Sequence, residues 1–217
     1  MRLVSVNVGL PREVAWKGRS VSTGIFKEPV PGRVTLRRLN LDGDRQADLS
    51  VHGGVDKAVY AYPAEHYHYW RSELGGLEMP FGVFGENFTT EGLAEEEVNI
   101  GDRFQVGTAE LVVTQPRLPC YKLGLKFGRD DMMKRFLASA RTGFYFSVSR
   151  EGEVGAGDAV ALIDRNPNNV AVGDITRLYV SKRYSPAELE TLNRATQVPA
   201  LPQSWRTYFL ERLEKVG

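Results

Sequence analysis

The chain has 217 residues, of which 42% are hydrophobic and 25% charged, and its formal net charge is +1. That length can bury a substantial core in one large domain, or in one domain with a small appendage. A near-neutral balance excludes a strong overall field for nucleic acids or anionic membranes, and no apolar run approaches the roughly 18 residues of a membrane span.

The start, Met1-Arg2-Leu3-Val4, reads as a strand rather than a signal peptide, so a cytoplasmic protein with no nucleic-acid and no membrane partner is expected. A single cysteine, Cys120, forms no internal disulfide and agrees with a reducing compartment.

Leu3, Val4, Val6 and Val8 predict a first strand that stops at Gly9-Leu10-Pro11. The segment from Arg12 to Ser22 reads as a basic loop carrying Arg12, Lys17 and Arg19, followed by Thr23-Gly24-Ile25-Phe26-Lys27. These cations and hydroxyls suit an anion site and a solvated loop equally. Val34 and Leu36 alternate with Thr35 and Arg37 as a strand, and Leu41-Asp42-Gly43-Asp44 closes it as a turn.

In the run from Asp48 to Pro63, His52 stands directly before Gly53-Gly54, where a backbone can turn sharply or approach a ligand. Pro63 is expected to open a helix whose face carries Tyr67, Trp70 and Leu74. His66 and His68, two apart, point in different directions on that helix and do not make a metal pair. From Phe81 to Leu93 glycine is dense, and Glu86-Asn87 either faces a ligand or caps a turn.

From Val98 the strands resume. Phe104 and Val106 lead through a tight Gly107-Thr108 turn into Ala109, Leu111 and Val113. That strand delivers the chain to Gln115–Leu123, where Pro116 and Pro119 hold the backbone extended around Cys120. Arg117 and Lys122 flank the thiol, and positive charge favours a thiolate able to attack electrophiles or bind soft metals. The alternative is a cysteine packed as a small hydrophobe. Asp130 or Asp131 is expected to cap a helix with Met132, Met133, Phe136, Leu137 and Ala140 on its apolar face, both methionines in the core. Phe144, Phe146 and Val148 form another strand, and Gly157-Asp158 leads into a last one, Ala159 to Ile163.

Past Asn166-Pro167-Asn168-Asn169 the pattern changes to helices, which divides the chain into residues 1–165 and 166–217. Ile175, Leu178 and Tyr179 mark one helix. Ser185-Pro186-Ala187-Glu188 has capping-box spacing ahead of Leu189, Leu192 and Ala195. A third helix is predicted from Ser204, with Trp205, Tyr208, Phe209 and Leu213 inward. Such a bundle is too small to be secure unless it docks on the main domain. The fold class is thus mainly β, an antiparallel barrel or sandwich with one or two inserted helices, plus a small C-terminal three-helix bundle. No dinucleotide fingerprint, phosphate loop or paired-cysteine zinc motif is present.

Four segments in order, TGIFKEPV (Thr23 to Val30), the Asp48 to Pro63 run with its VHGG and DKAVY, FGENFT (Phe84 to Thr89) and QPRLPCYKL (Gln115 to Leu123), resemble the MOSC family, named after the C-terminal domain of molybdenum cofactor sulfurase. The likeness spans nearly the whole chain and is closest to the bacterial YiiM type, in which three helices follow the barrel. The resemblance implies a barrel-like domain that binds the molybdenum cofactor, a pterin with a dithiolene and a phosphate. Cys120 would be the metal ligand, and Lys27 and Arg117, with Lys17 and Arg19 as further candidates, would meet the pterin phosphate and ring. Thr23, His52, Gly53, Asn87 and Gln115 would supply the remaining polar contacts, and His52 would be a proton source. The resemblance further implies reduction of N-hydroxylated compounds such as N-hydroxylated purine base analogues, a detoxifying role, with electrons from a separate reductase protein. The alternatives are a cofactor carrier or a sulfur-transfer protein using a persulfide on Cys120, and a binder of a small anion with the thiol buried.

Overall fold

The computed structural model describes residues 1–48 and 53–215. Leu49 to His52 and the last two residues lie outside that range.

The strands of one large curled sheet run β1 (Arg2–Val8), β4 (Glu28–Pro29), β6 (Val59–Pro63), β7 (Phe88–Glu91), β8 (Arg103–Val106), β9 (Ala109–Pro116), β10 (Phe144–Arg150) and β12 (Val160–Asp164). Their spatial order is β12-β8-β9-β10-β6-β7-β1-β4. Every neighbour is antiparallel except β6 and β7, which pair in parallel because helix α1 (His66–Glu73) carries the chain between them. The sheet curls until β1 meets the start of β12. There a single bridge joins Arg2 to Ala159, and Leu3 N donates to Asp158 O at 2.9 Å. The result is a barrel-like sheet closed by one bridge in place of a full ladder. Two small ribbons stand beside it, β5 (Arg33–Leu36) with β11 (Gly152–Gly155), and β2 (Arg12–Trp16) with β3 (Arg19–Thr23).

That last hairpin corrects the expectation of a loop from Arg12 to Ser22. Lys17 and Gly18 both take positive φ, 52° and 76°, which is the two-residue turn whose twist matches paired strands. Apart from the polar Thr23 at its end no residue of the hairpin is buried, so no apolar alternation announces it. Pro63 is a second correction. It closes strand β6 opposite Thr90, and α1 begins three residues later, with Tyr67 and Trp70 buried as anticipated. Pairing in β6 does not call on the missing proline N–H at its last position.

Strand β6 is buried on both faces. Val59 and Ala61 point into the barrel core, while Tyr60 and Tyr62 point outward into a second cluster with Trp70, Phe84, Met132 and Phe136. Helices α1, α2 (Tyr121–Phe127) and α3 (Met132–Ala138) cover that side. On α3 only Met132 and Phe136 are buried. Met133 is exposed, contrary to the expectation that both methionines are core. Asp131 precedes the helix but caps no backbone N–H, since its carboxylate is taken by Arg129 and Arg135.

The C-terminal helices are α4 (Val172–Val180), α5 (Pro186–Thr196) and α6 (Gln203–Glu214). The α5 capping box forms as its spacing predicts: Ser185 Oγ accepts from Glu188 N at 3.3 Å, and Glu188 Oε2 accepts from Ser185 N at 2.8 Å. Ile175, Leu178, Leu192, Ala195 and Phe209 belong to the same apolar cluster as Leu3, Phe104 and Phe146 of the sheet. The helices therefore gain their stability by sharing the sheet's core.

Candidate functional site

Strand β9 ends at Pro116, and the next four residues turn across the sheet end before α2 begins. Arg117 N donates to Gly143 O at 3.1 Å, which pins this crossing to the segment before β10. Cys120 is extended (φ −117°, ψ 171°) and stands immediately before α2, partly exposed. The helix after it is absent from the expected elements; Leu123 and Leu125, two apart, alternate like a strand.

Cys120 lines a solvent-open cleft of about 670 Å³. Of the residues singled out from sequence, Thr23, Lys27, Gly53, Asn87 and Arg117 line it too. Gly53 adopts φ 106°, a conformation that requires glycine, so its backbone forms part of the wall with no side chain. Across the cleft, Gly85 (φ 81°) lets its loop press onto Ile25, where a Cβ would come within 2.8 Å of Ile25 Cγ1. Lys17 and Arg19 lie elsewhere: both are exposed on the hairpin, and Lys17 pairs with Asp130 at 2.8 Å. His52 lies outside the described residues.

The lining is strongly electropositive. Lys27, Arg45, Lys57, Arg117 and Lys122 all contribute, and no described carboxylate lines the cleft. These cations differ in what already holds them. Lys27 is buried and ion-paired with Asp44, whose side chain is fully buried and also accepts from Gly9 N and from Asn87 Nδ2, each at 2.9 Å. Burial pushes the Lys27 ammonium below its ordinary value, against the pull of Asp44. Asn87 is equally committed, because its Oδ1 accepts from Tyr60 N at 3.2 Å. Thr23 Oγ1 accepts from Ile25 N at 3.3 Å. Lys27, Asp44, Asn87 and Thr23 thus form a braced wall. Asp44, read from sequence only as a turn residue, is its centre.

Arg117 is different. It is 6% exposed, its guanidinium carbon sits 4.8 Å from the Tyr60 ring centre and 5.2 Å from that of Phe136, and its Nη1 is buried with no hydrogen-bond partner among the described residues. Burial pulls this guanidinium down, yet Tyr60, Tyr145 and Cys120 around it leave it raised above its usual value. Burial, above all, raises the phenols of Tyr60 and Tyr145, which keeps them neutral.

Gln115 does not line this cleft. It borders a second cavity, of about 960 Å³, between the sheet end and the C-terminal helices. Its two polar atoms are both used: Nε2 donates to Asp56 O at 3.3 Å, and Oε1 accepts from Trp205 Nε1 at 2.8 Å. Cys120, Lys57, Leu118 and Tyr145 line both spaces, so the sulfur stands where the two meet. Among the described residues no three His, Cys, Asp or Glu side chains cluster as a metal site.

Residues 48–161 match the MOSC domain family, and residues 184–216 match the YiiM-like three-helix domain. The chain belongs to the MOSC family. Its architecture is that of YiiM proteins: the crystal structure of YiiM from Geobacillus stearothermophilus superposes with a TM-score of 0.80 at 34% identity, covering 98% of each chain. YiiM from Escherichia coli gives 0.77 at 29% identity over 100% of this chain and 94% of that one. In sequence the chain is 39% identical to YflK of Bacillus subtilis over 99% of its own length and 95% of that protein's. A protein named Reductase from Gibberella moniliformis is 31% identical over 91% of this chain, which spans 35% of the fungal protein. Among the described residues no helix is long and apolar enough to cross a membrane.

Proposed function

We propose that this MOSC protein is a molybdenum-cofactor-dependent reductase of N-hydroxylated compounds, with Cys120 as the protein's ligand to the metal. The observation that carries the reading is one thiol sharing a cleft with five cations, one of which, Arg117, keeps a buried N–H without a partner among the described residues. A buried donor left unmade costs about 1–3 kcal/mol, so the arrangement suits an anionic group that completes it. The donor set agrees. With one soft sulfur and no described cluster of hard ligands, a metal here must bring its other donors with it, as a dithiolene pterin does.

The chain's own residues then divide the work. Cys120 Sγ holds the metal, and Arg117 supports the thiolate and meets the anionic end of the cofactor. Arg45, Lys57 and Lys122 add positive charge along the cleft, while the Lys27–Asp44–Asn87 wall keeps its shape. Neutral Tyr60 and Tyr145 close the space behind Arg117 without adding negative charge. The bound cofactor would supply two-electron oxygen removal, for the balance R–NHOH + 2e⁻ + 2H⁺ → R–NH₂ + H₂O. Electrons come from a separate donor protein. His52, assigned from the sequence alone, is the candidate proton source. The fungal relative's name supports a reductase. A carrier that merely delivers cofactor needs the first cleft only, and the second cavity beside Cys120 favours catalysis.

The test is molybdenum content, and anaerobic turnover of a hydroxylamino purine with a chemical reductant, for protein made in a cofactor-producing host. Near-stoichiometric molybdenum with turnover, both lost in Cys120→Ala, is expected. Molybdenum without turnover would leave a carrier, and undiminished turnover by Cys120→Ala would refute the role of the sulfur.

A further inference from the structure

The second cavity has an aromatic wall of a different character from the electropositive cleft. Tyr179 comes from α4, and Trp205 and Tyr208 from successive turns of α6, with Tyr179 5.4 Å from Trp205 and 5.6 Å from Tyr208 between ring centres. Trp205 is fixed in place because its indole N–H is spent on Gln115 Oε1, on the strand that leads to Cys120. Pro116, Leu118 and Pro119, also without charge, line the same cavity. The polar end is the one nearest Cys120, where Lys57 and Tyr145 are shared with the first cleft. A space walled by three aromatic rings, whose one charged lining residue among those described, Lys57, lies with Cys120 in the part shared with the first cleft, suits a planar ring carrying its reacting group at one edge.

We propose that this cavity, between the sheet and the C-terminal helices, is the substrate subsite, and that it takes a planar heteroaromatic ring against Tyr179, Trp205 and Tyr208 with the ring's substituent directed towards Cys120. The assignment rests on the reductase reading for its chemistry, but the ring-binding slot stands on the geometry alone. The C-terminal helices then form the wall that selects flat substrates, while the sheet carries the metal ligand. Stacking of a base on an aromatic side chain shifts affinity by tenfold or more, so removing one ring is expected to show as about a tenfold loss.

Two measurements separate this proposal from the reductase reading. In the first, adenine is added to the purified full-length protein and saturation-transfer NMR reports ring binding, with no turnover required. Tyr208→Leu and Tyr179→Leu should each weaken binding about tenfold, whereas Leu210→Ala, at an exposed position of α6, should not. Undiminished binding in both tyrosine variants overturns the proposal, whatever the protein's activity. In the second, cofactor-loaded protein is assayed with a hydroxylamino purine and with N-methylhydroxylamine, which has no ring. Tyr208→Leu should raise KM for the purine about tenfold with kcat little changed, and leave KM for the small substrate unaltered. Equal effects on the two substrates overturn the subsite. Turnover of neither substrate by the unsubstituted protein defeats the reductase reading and leaves the adenine result to decide the slot.

Discussion

The Lys27–Asp44 pair yields a quantitative prediction that reaches both stability and binding. Asp44 is fully buried and carries three obligations at once, the Lys27 ammonium, Gly9 N and Asn87 Nδ2. Removing one partner of a buried ion pair leaves an uncompensated charge and costs about 3–5 kcal/mol. Asp44→Ala also strands two donors, while Lys27→Met leaves the carboxylate with two hydrogen bonds, so the first change is the worse of the two. For a chain of this size each kcal/mol moves the midpoint by about 2–4 °C, which places the Asp44→Ala loss at roughly 6–20 °C. The double variant Lys27→Met/Asp44→Ala removes both charges and should cost much less than the sum of its single changes, with a coupling of up to about 3 kcal/mol. Urea unfolding followed by the fluorescence of Trp70, which is fully buried, measures all the arms of the cycle. Additive single and double costs would refute the reasoning, since they would mean that the two charges do not depend on each other.

Three further outcomes are expected. Inorganic phosphate at a hundredfold excess over its Kd should stabilise the apo chain by about 2.7 kcal/mol, and the thermal shift should largely vanish in Arg117→Met; an equal shift in both places the anion elsewhere. Gln115→Leu strands Trp205 Nε1, so a loss of about 1–3 kcal/mol and faster amide exchange in α6 are expected, and unchanged exchange would show that the bond does not anchor the helix. Burial raises the Glu86 carboxyl above its ordinary 4.5, so the folded state binds that proton more tightly than the unfolded one. Its stabilising contribution is full below pH 4.5 and lost as pH rises through the folded value. Glu86→Gln lacks this titration, and the stability gap between wild type and variant should therefore widen on acidification. A gap independent of pH would contradict the shift.

How much of this could be read in the chain depended on whether a residue's partner is near in sequence. Strands β8 to β10 are legible because each has one face in the core, and Gly107-Thr108 makes a short turn. Helix α5 is legible because Ser185 and Glu188 satisfy each other three residues apart. The β2–β3 hairpin is not, because of its ten strand residues only the polar Thr23 is buried; its one available signal is Lys17-Gly18. In the site, Cys120 and Arg117 were visible through composition and the family resemblance. Asp44 was not, since its role depends on Lys27, 17 residues away, and on Asn87, 43 away. The resemblance gives Gln115 a cofactor contact, whereas its bond to Trp205, 90 residues away, and its place on the wall of the second cavity have no signal in the sequence.

The shared core also constrains how the protein is made. Leu3 in the first strand and Phe209 in the last helix are both fully shielded within one apolar cluster. A ribosome releases a chain from its N-terminal end, so the strands of the sheet emerge before α6 does. Until then the partners of Phe209 in the sheet stay uncovered, and the growing polypeptide presents a greasy flank to whatever surrounds it. Final closure thus waits for α6, and a chain cut short before α6 should be a species that chaperones retain or proteases remove.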